Sequence, residues 1–268
     1  MPSVLFNLYP DGRQKALTMS YDDGQLHDRR LVEIFNRHGI RGSFHLNSSL
    51  LHSPKHVSAE ELPTLFAGHE VSVHSVTHPS LIALPREKVI DEILEDRRTL
   101  ERIVGYPVRG MSYPFGHYNS FVCDILRDLG IEYARTTQTR TDFGVPDDFL
   151  LWHATGHHSH DIAAKGRQFK AATSWGTMML MYVWGHRYEF AQAGNWRLIE
   201  EFCELMGGDD SIWYATNIEI VDYVKAVRQL RCSVGGTMIQ NPSAIPVWVS
   251  IDGQPRRIAP GEILRIAG

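Results

Sequence analysis

Alternating and helical spacings of apolar residues recur along most of the chain and predict a series of strands and helices. Leu17, Met19 and Tyr21 alternate with polar neighbours, which is the two-residue period of a β-strand. Asp28 to His38 then carries apolar residues at helical spacing and is followed by Gly39, a common helix stop. Together these segments predict one β–α unit.

The same alternation continues to about residue 230. The further predicted strands cover residues 42–47, 71–74, 111–113, 131–135, 151–155, 178–184 and 212–215, and the further predicted helices cover residues 86–104, 119–129, 195–206 and 218–230. Strands that alternate with helices pair in parallel. About seven strands alternating with helices, without a linker between them, favour an α/β fold: a distorted parallel (β/α)7-type barrel.

The pattern changes at Cys232, where apolar alternation broken by turns replaces the helices. Val247 to Ile251 alternates and leads into Asp252-Gly253, a strong hairpin signal. We therefore expect a barrel over residues 1–231 and a small β-rich appendage, packed on the barrel, over residues 232–268.

Charge and hydropathy exclude several classes of partner. Lys and Arg total 27 against 31 Asp and Glu, and no long run has one sign, which argues against nucleic acid. Met178 to Trp184, the longest strongly apolar run, is far shorter than the roughly 20 residues that cross a bilayer. The first ten residues lack the basic start and apolar segment of a signal peptide, so we expect a cytoplasmic protein with no membrane partner. A homo-oligomer stays open.

Several titratable residues follow directly after predicted strands, in a chain that has 14 histidines. Asp22-Asp23 follows the first strand, His74 ends another with His78 four residues on, and His186 follows Val183-Trp184-Gly185. In a β/α barrel the carboxyl ends of the strands open onto one face. One carboxylate and two imidazoles meeting there would hold a divalent metal and leave positions for water.

Two of these segments resemble motifs of a known family. Thr18 to Gly24 resembles the first motif of the polysaccharide deacetylase family (NodB homology, carbohydrate esterase family four), and His74 to His78 is similar to its His-Ser/Thr-x-x-His motif. The resemblance runs from about Lys15 to Leu230 and implies the distorted β/α barrel. It also implies a zinc or similar site formed by Asp23, His74 and His78, with Asp22 as the catalytic base.

The third motif of the family is less complete in this chain. Met111 to Gly116 is similar to the Arg-Pro-Pro-Tyr-Gly motif, but Ser112 stands at the arginine position. The resemblance implies that Phe115, at the aromatic position, lends its backbone N–H to the oxyanion. We expect Arg109 or Arg135 to supply the missing cation.

Met178 to His186 resembles the fifth motif, an apolar strand that ends in a histidine acting as the acid. The Asp-x-x-Asp-Trp motif, which in the family orients that acid and walls the pocket, is not recognisable between Arg135 and Asp142. The residues that we expect to line the substrate pocket are Tyr113, Phe115, His157 and Trp184.

These motifs imply a metal-dependent hydrolase that removes an acyl group, normally acetyl, from an amide nitrogen of a sugar or related small molecule. Zinc is the expected metal, although the ligand set also suits cobalt, manganese, nickel or iron. An iron(II) oxygenase is disfavoured because Asp23 precedes the histidine pair by about fifty residues. A non-catalytic, metal-retaining barrel that binds carbohydrate is the other alternative, and it would need neither Asp22 nor His186.

Overall fold

Residues 2–266 are described by a computed structural model, and their backbone alternates between strands and helices. The strands are β1 (Val4–Leu5), β2 (Lys15–Asp22), β3 (Gly42–Leu46), β4 (Glu70–Val73), β5 (Gly110–Ser112), β6 (Tyr133–Thr139), β7 (Trp152–Ala154), β8 (Gly156–His157), β9 (Met179–Gly185), β10 (Ile212–Tyr214), β11 (Arg231–Cys232), β12 (Met238–Gln240), β13 (Val247–Ile251), β14 (Gln254–Ile258) and β15 (Ile263–Arg265). The helices are α1 (Asp28–Arg37), α2 (Leu62–Leu65), α3 (Arg86–Val104), α4 (Ser120–Asp128), α5 (Ile162–Ala171), α6 (Tyr188–Ala193), α7 (Arg197–Met206) and α8 (Asn217–Arg228).

Seven parallel strand positions close into a ring. Strands β2 to β6 follow one another in space, and β9 pairs with the other edge of β2. Strands β7 and β8 flank Thr155 and act as one bent strand, because β7 pairs with β6 and β8 pairs with β9. The Thr155 N–H donates to the Tyr182 carbonyl at 2.8 Å, which joins the two halves of this closing strand to β9. The predicted parallel (β/α)7 barrel is therefore present.

The barrel is distorted along one edge of β2. Strand β10 pairs with Lys15 to Leu17, and β3 pairs farther along the same strand with Met19 to Asp22. Two strands thus share one edge of β2, so its carboxyl end is flanked by β3 and β9 alone. That end carries the Asp22-Asp23 segment.

The inward face of the barrel is unusually polar near its carboxyl end. Ser20 on β2 is hydrogen-bonded to His45 on β3 at 2.8 Å and accepts from Arg135 Nε on β6 at 3.0 Å. Since side chains alternate across a strand, Asp22 lies on the same inward face as Ser20. The lumen therefore leads directly to the strand ends where the candidate residues lie.

The carboxyl-terminal strands form two small antiparallel sheets, as the alternation predicts. One contains β11, β12 and β15, and the other contains β13, β14 and β1. The second sheet packs on α8, where the backbone N–H of Trp248 donates to the Tyr223 hydroxyl at 3.0 Å. Val4–Leu5 lies outside the predicted boundary of the appendage yet pairs with β13, because long-range pairing is invisible to local apolar spacing.

Two local differences from the sequence expectation affect the site. Strand β6 continues to Thr139, so Arg135 lies inside the strand rather than at its end. Helix α5 is not predicted from the sequence, because it buries only Ile162, Gly166 and Phe169. Within residues 2–266 no helix has both the length and the apolar character needed to span a bilayer.

Gly110 gives a test of the strand packing. A Cβ atom at this position would lie 1.9 Å from the buried ring of Tyr133 on β6. We expect Gly110→Ala to lower the free energy of unfolding by at least the roughly 1–3 kcal/mol typical of overpacking, measured by urea denaturation. Gly176→Ala is the control, because nothing lies within 4 Å of a Cβ there. Equal stability of the two variants would contradict the packing of β5 against β6.

Candidate active site

The carboxyl ends of the strands surround a cavity of about 390 Å³. The residues that line it are Asp22, Asp23, His74, His78, Tyr113, Phe115, Gly116, Thr137, Trp184, His186 and Tyr188. A larger cavity of about 760 Å³ lies at the opposite end, next to the start of β2, and is lined by none of the candidate residues. The polar residues predicted from separate strands therefore meet at one face of the barrel.

Asp23, His74 and His78 each direct a potential ligand atom to one point, and these atoms lie within 4.8 Å of one another. His74 Nδ1 lies 2.9 Å from the Ser112 carbonyl, which can only accept, so Nδ1 carries the proton. The lone pair of His74 is then on Nε2, which lies 3.7 Å from an Asp23 carboxylate oxygen. A ring held through its other nitrogen is the usual arrangement of a metal-ligating histidine. The donor set fits a divalent metal.

Strained backbone aims the side chains of the two ligand-bearing loops. Asp23, Ser75 and His78 have φ values of 73°, 65° and 59°, in the left-handed region. Such residues cost on the order of 1–3 kcal/mol each and persist where the surrounding structure fixes them. Phe115, whose ring packs against His78 with centres 4.6 Å apart, has a φ of 59°. The loops that carry the candidate residues are therefore held in unusual conformations.

Asp22 is a buried carboxylate whose two oxygens both have partners. Its Oδ2 pairs with the Arg135 guanidinium, and its Oδ1 accepts a hydrogen bond from the Ser112 hydroxyl at 3.0 Å. Burial by itself raises the pKa of Asp22, but Arg135 and, to a lesser extent, His74 lower it, and the net pKa is well below the usual range. Asp22 is therefore ionised.

The structure shows which of the two candidate arginines, Arg109 or Arg135, lies beside Asp22. Arg135 lies against Asp22, with its guanidinium 4.3 Å from the centre of the Trp184 ring. Arg109 is not at the site: it precedes β5, and residues before a parallel strand lie at the opposite end of the barrel. There it pairs with Glu132 and Asp222 at 2.8 and 2.7 Å. The expectation of a catalytic role for Arg109 is wrong.

His186 lies between two carboxylates. Its Nε2 is 3.8 Å from Asp22 Oδ2, and its Nδ1 is 3.2 Å from Glu189 Oε1. Burial lowers the pKa of His186, but Glu189 and then Asp22 raise it, and the net pKa is above the ordinary value. The ring is thus suited to carry a proton beside the cavity.

Three of the four predicted pocket residues, Tyr113, Phe115 and Trp184, line the cavity. His157 does not line it; its ring packs edge-on against Trp184, and its Nε2 lies 3.1 Å from Glu189. The sequence interpretation placed it in the pocket because it follows a strand end, but its side chain turns toward α6. Sequence reasoning missed Thr137, Tyr188, Gly116 and Glu189. Of these four residues, only Glu189 could have been found from the sequence, because it lies three residues after His186.

Residues 10–134 match the family model of the polysaccharide deacetylases. Peptidoglycan-N-acetylglucosamine deacetylase PgdA of Listeria monocytogenes is 28% identical over 113 residues, which is 41% of this chain and 23% of that protein. Chitin deacetylase 1 of Cryptococcus neoformans is 25% identical over 141 residues, which is 52% of this chain and 29% of that protein. The chain thus spans about a quarter of the length of these relatives.

Among solved structures, one from Mycobacterium smegmatis described as a polysaccharide deacetylase superimposes with a TM-score of 0.63 at 17% identity, over 85% of this chain and 96% of that one. This likeness concerns the fold and confirms the distorted (β/α)7 barrel. The segment that matches the polysaccharide deacetylase model, residues 10–134, includes Asp22, Asp23, His74 and His78.

The contrasting environments of the two arginines predict different stabilities. Removing one partner of a buried ion pair costs about 3–5 kcal/mol, because the other charge is left unpaired. We therefore expect Arg135→Met to lower the free energy of unfolding by that amount, and Arg109→Met to cost about 1 kcal/mol or less, because its ion pairs are partly exposed.

A double-mutant cycle isolates the pair. Arg135→Met should cost clearly less when Asp22 is already Asn, because the substitution then leaves no buried carboxylate unpaired. Equal costs in the two backgrounds, measured by urea denaturation, would show that Asp22 does not depend on Arg135.

Proposed function

We propose that this protein is a metal-dependent deacetylase that hydrolyses the acetamide of an N-acetylated sugar to acetate and a free amine. The single observation that carries this proposal is the meeting of Asp23, His74 and His78 with Asp22 and His186 at one cavity. A purely structural metal site would need the first three residues alone. The addition of a buried carboxylate and a proton-bearing imidazole supports hydrolysis rather than binding.

Asp23, His74 and His78 would hold the metal, with zinc as the expected ion. Bound there, a divalent metal lowers the pKa of a ligated water to near 7 and so supplies hydroxide close to neutral pH. The His74 ring is already oriented for this task by the Ser112 carbonyl.

The other residues divide the proton transfers between them. Asp22 would accept a proton from the attacking water, and the Phe115 N–H would donate to the oxyanion that forms from the acetamide carbonyl. His186 would protonate the departing nitrogen, without which the amine is a poor leaving group. Arg135 keeps Asp22 ionised and in place.

The names of the two curated relatives support an N-acetylated sugar as substrate. The test is acetate release by the purified chain from N-acetylglucosamine, chitin oligosaccharides and peptidoglycan fragments. Activity should disappear after treatment with a chelator and return on addition of zinc or cobalt. A metal-loaded protein that releases no acetate from any N-acetylated sugar would overturn the proposal.

The adjacent acids Asp22 and Asp23 should have separable roles. Asp22→Asn removes a proton acceptor, so we expect turnover to fall by roughly 100- to 10,000-fold while bound metal is retained. Asp23→Asn should lose metal, because a neutral amide is a poorer ligand than a carboxylate for a hard cation. Metal is measured by elemental analysis after dialysis, and turnover by acetate release.

Two comparisons complete this test. Excess metal should restore part of the activity of Asp23→Asn and none of the activity of Asp22→Asn. His52→Ala, which removes an exposed loop histidine, is the control for metal content and should match the wild type. Full metal occupancy in Asp23→Asn would show that the ligand assignment is wrong.

A further inference from the structure

Three imidazoles converge on a single carboxylate beside the cavity. Glu189 Oε2 lies 2.6 Å from His158 Nε2 and 3.1 Å from His157 Nε2, and Glu189 Oε1 lies 3.2 Å from His186 Nδ1. We propose that Glu189 is a positioning residue for His186, and that His157 and His158 hold Glu189 in place. This inference rests on the proposed function, in which His186 is the acid.

Glu189 fixes the position of the proton on the neutral His186 ring. An ionised carboxylate can only accept, so the ring nitrogen that faces Glu189 must be an N–H donor. The proton is thereby fixed on Nδ1, and Nε2 is left facing Asp22 at 3.8 Å and the cavity. Nε2 is the nitrogen that could deliver a proton to a substrate, and Glu189 therefore determines which atom of His186 is available.

His157 and His158 both contact Glu189 and keep its carboxylate in place. His157 Nδ1 accepts from the Ser159 N–H at 3.3 Å, which leaves the proton of a neutral His157 on Nε2, toward Glu189. His158 is packed against Phe190, with ring centres 4.1 Å apart. A Cβ atom on Gly185 would lie 1.9 Å from the His158 ring. The glycine before His186 is thus required for His158 to reach Glu189.

The negative charge of Glu189 acts on the protonation of His186. Burial raises the pKa of Glu189, but its contacts with the three imidazoles, His157 first, lower it, and the net pKa is well below the usual range. Glu189 therefore stays ionised and stabilises the protonated form of His186. The charged and titratable groups that face His186 are Asp22 at the end of β2 and Asp23 after it, Arg135 on β6, His157 and His158 on the closing strand and the loop after it, and Tyr188 and Glu189 on α6.

Potential ligand atoms of His157, His158 and Glu189 also lie within 4.8 Å of one another, so these residues form a second possible metal-ligand set. Two ligands on one tetrahedral zinc, at bond lengths near 2.1 Å, would be about 3.4 Å apart. The 2.6 Å separation of His158 Nε2 and Glu189 Oε2 is shorter than that spacing and is a direct ion-pair contact. The geometry favours a cluster of direct ion-pair contacts.

The test is Glu189→Gln, which keeps the size of the side chain and removes its charge. The titration of His186 is followed by ¹⁵N NMR of the imidazoles in the zinc-loaded protein. We expect the pKa of His186 to fall by about one unit, and the alkaline limb of the kcat/KM profile to move to lower pH with it, because the acid form is less stabilised. Glu204→Gln, the same change on the exposed face of α7, should alter neither.

A second pair of variants tests the supporting histidines. His157→Gln keeps a donor near the position of Nε2 and should keep the His186 titration close to that of the wild type. His157→Ala removes the donor and should shift it in the same direction as Glu189→Gln, by a smaller amount. An unchanged titration in both Glu189→Gln and His157→Ala would overturn the proposal.

Metal content separates the remaining outcomes. One equivalent of zinc per chain, lost in Asp23→Asn, is the expected result; a second equivalent that disappears in His158→Ala would overturn the ion-pair cluster in favour of a metal site. The NMR titration requires no turnover. A shifted His186 pKa in a protein without deacetylase activity would therefore contradict the proposed function and leave the positioning role of Glu189 standing.

Discussion

The buried charge of Asp22 is the constraint on which the rest of the site depends. A carboxylate that is 3% exposed stays ionised only if a cation is held against it. Arg135 meets this requirement from β6, across the barrel from β2, and is itself fixed by Ser20 and by the face of Trp184. The pair reaches across the ring of strands, which the bent strand around Thr155 closes. The polar lumen near the strand ends follows from the same requirement.

The site has two halves that different loops provide. The candidate metal ligands come from the ends of β2 and β4, whereas the candidate acid comes from the end of β9. A second buried ion pair joins these halves: Arg187, next to His186, lies 2.8 Å from Asp28 at the start of α1, and both side chains are fully buried. Burial raises the pKa of Asp28 to about 7 even with Arg187 beside it. Removing either partner of a buried ion pair is strongly destabilising. The distance between base and acid is thus set by buried charges as well as by the sheet.

Much of the fold could be predicted from local spacing. Helix α3 has the predicted bounds, and most other elements lie within one or two residues of theirs, because each buries a regular apolar face. The His-x-x-x-His segment and the Asp-Asp-Gly turn also indicated the polysaccharide deacetylases, whose family model matches residues 10–134. Helix α5 and the pairing of β1 with β13 were beyond this reasoning, since the first has a weak apolar face and the second joins residues nearly 250 positions apart.

The sequence by itself therefore determined the barrel, the likeness to the polysaccharide deacetylases and the five polar residues that meet at the cavity. Only the tertiary structure decided their partners. Nothing in the sequence distinguishes Arg109 from Arg135 as the partner of Asp22. Arg109 precedes its strand and lies at the far end of the barrel, whereas Arg135 points into the lumen. His157 follows a strand end but turns toward Glu189, which no strand pattern singled out. Side-chain direction depends on strand register and on the packing of distant elements, and periodicity along the chain records neither.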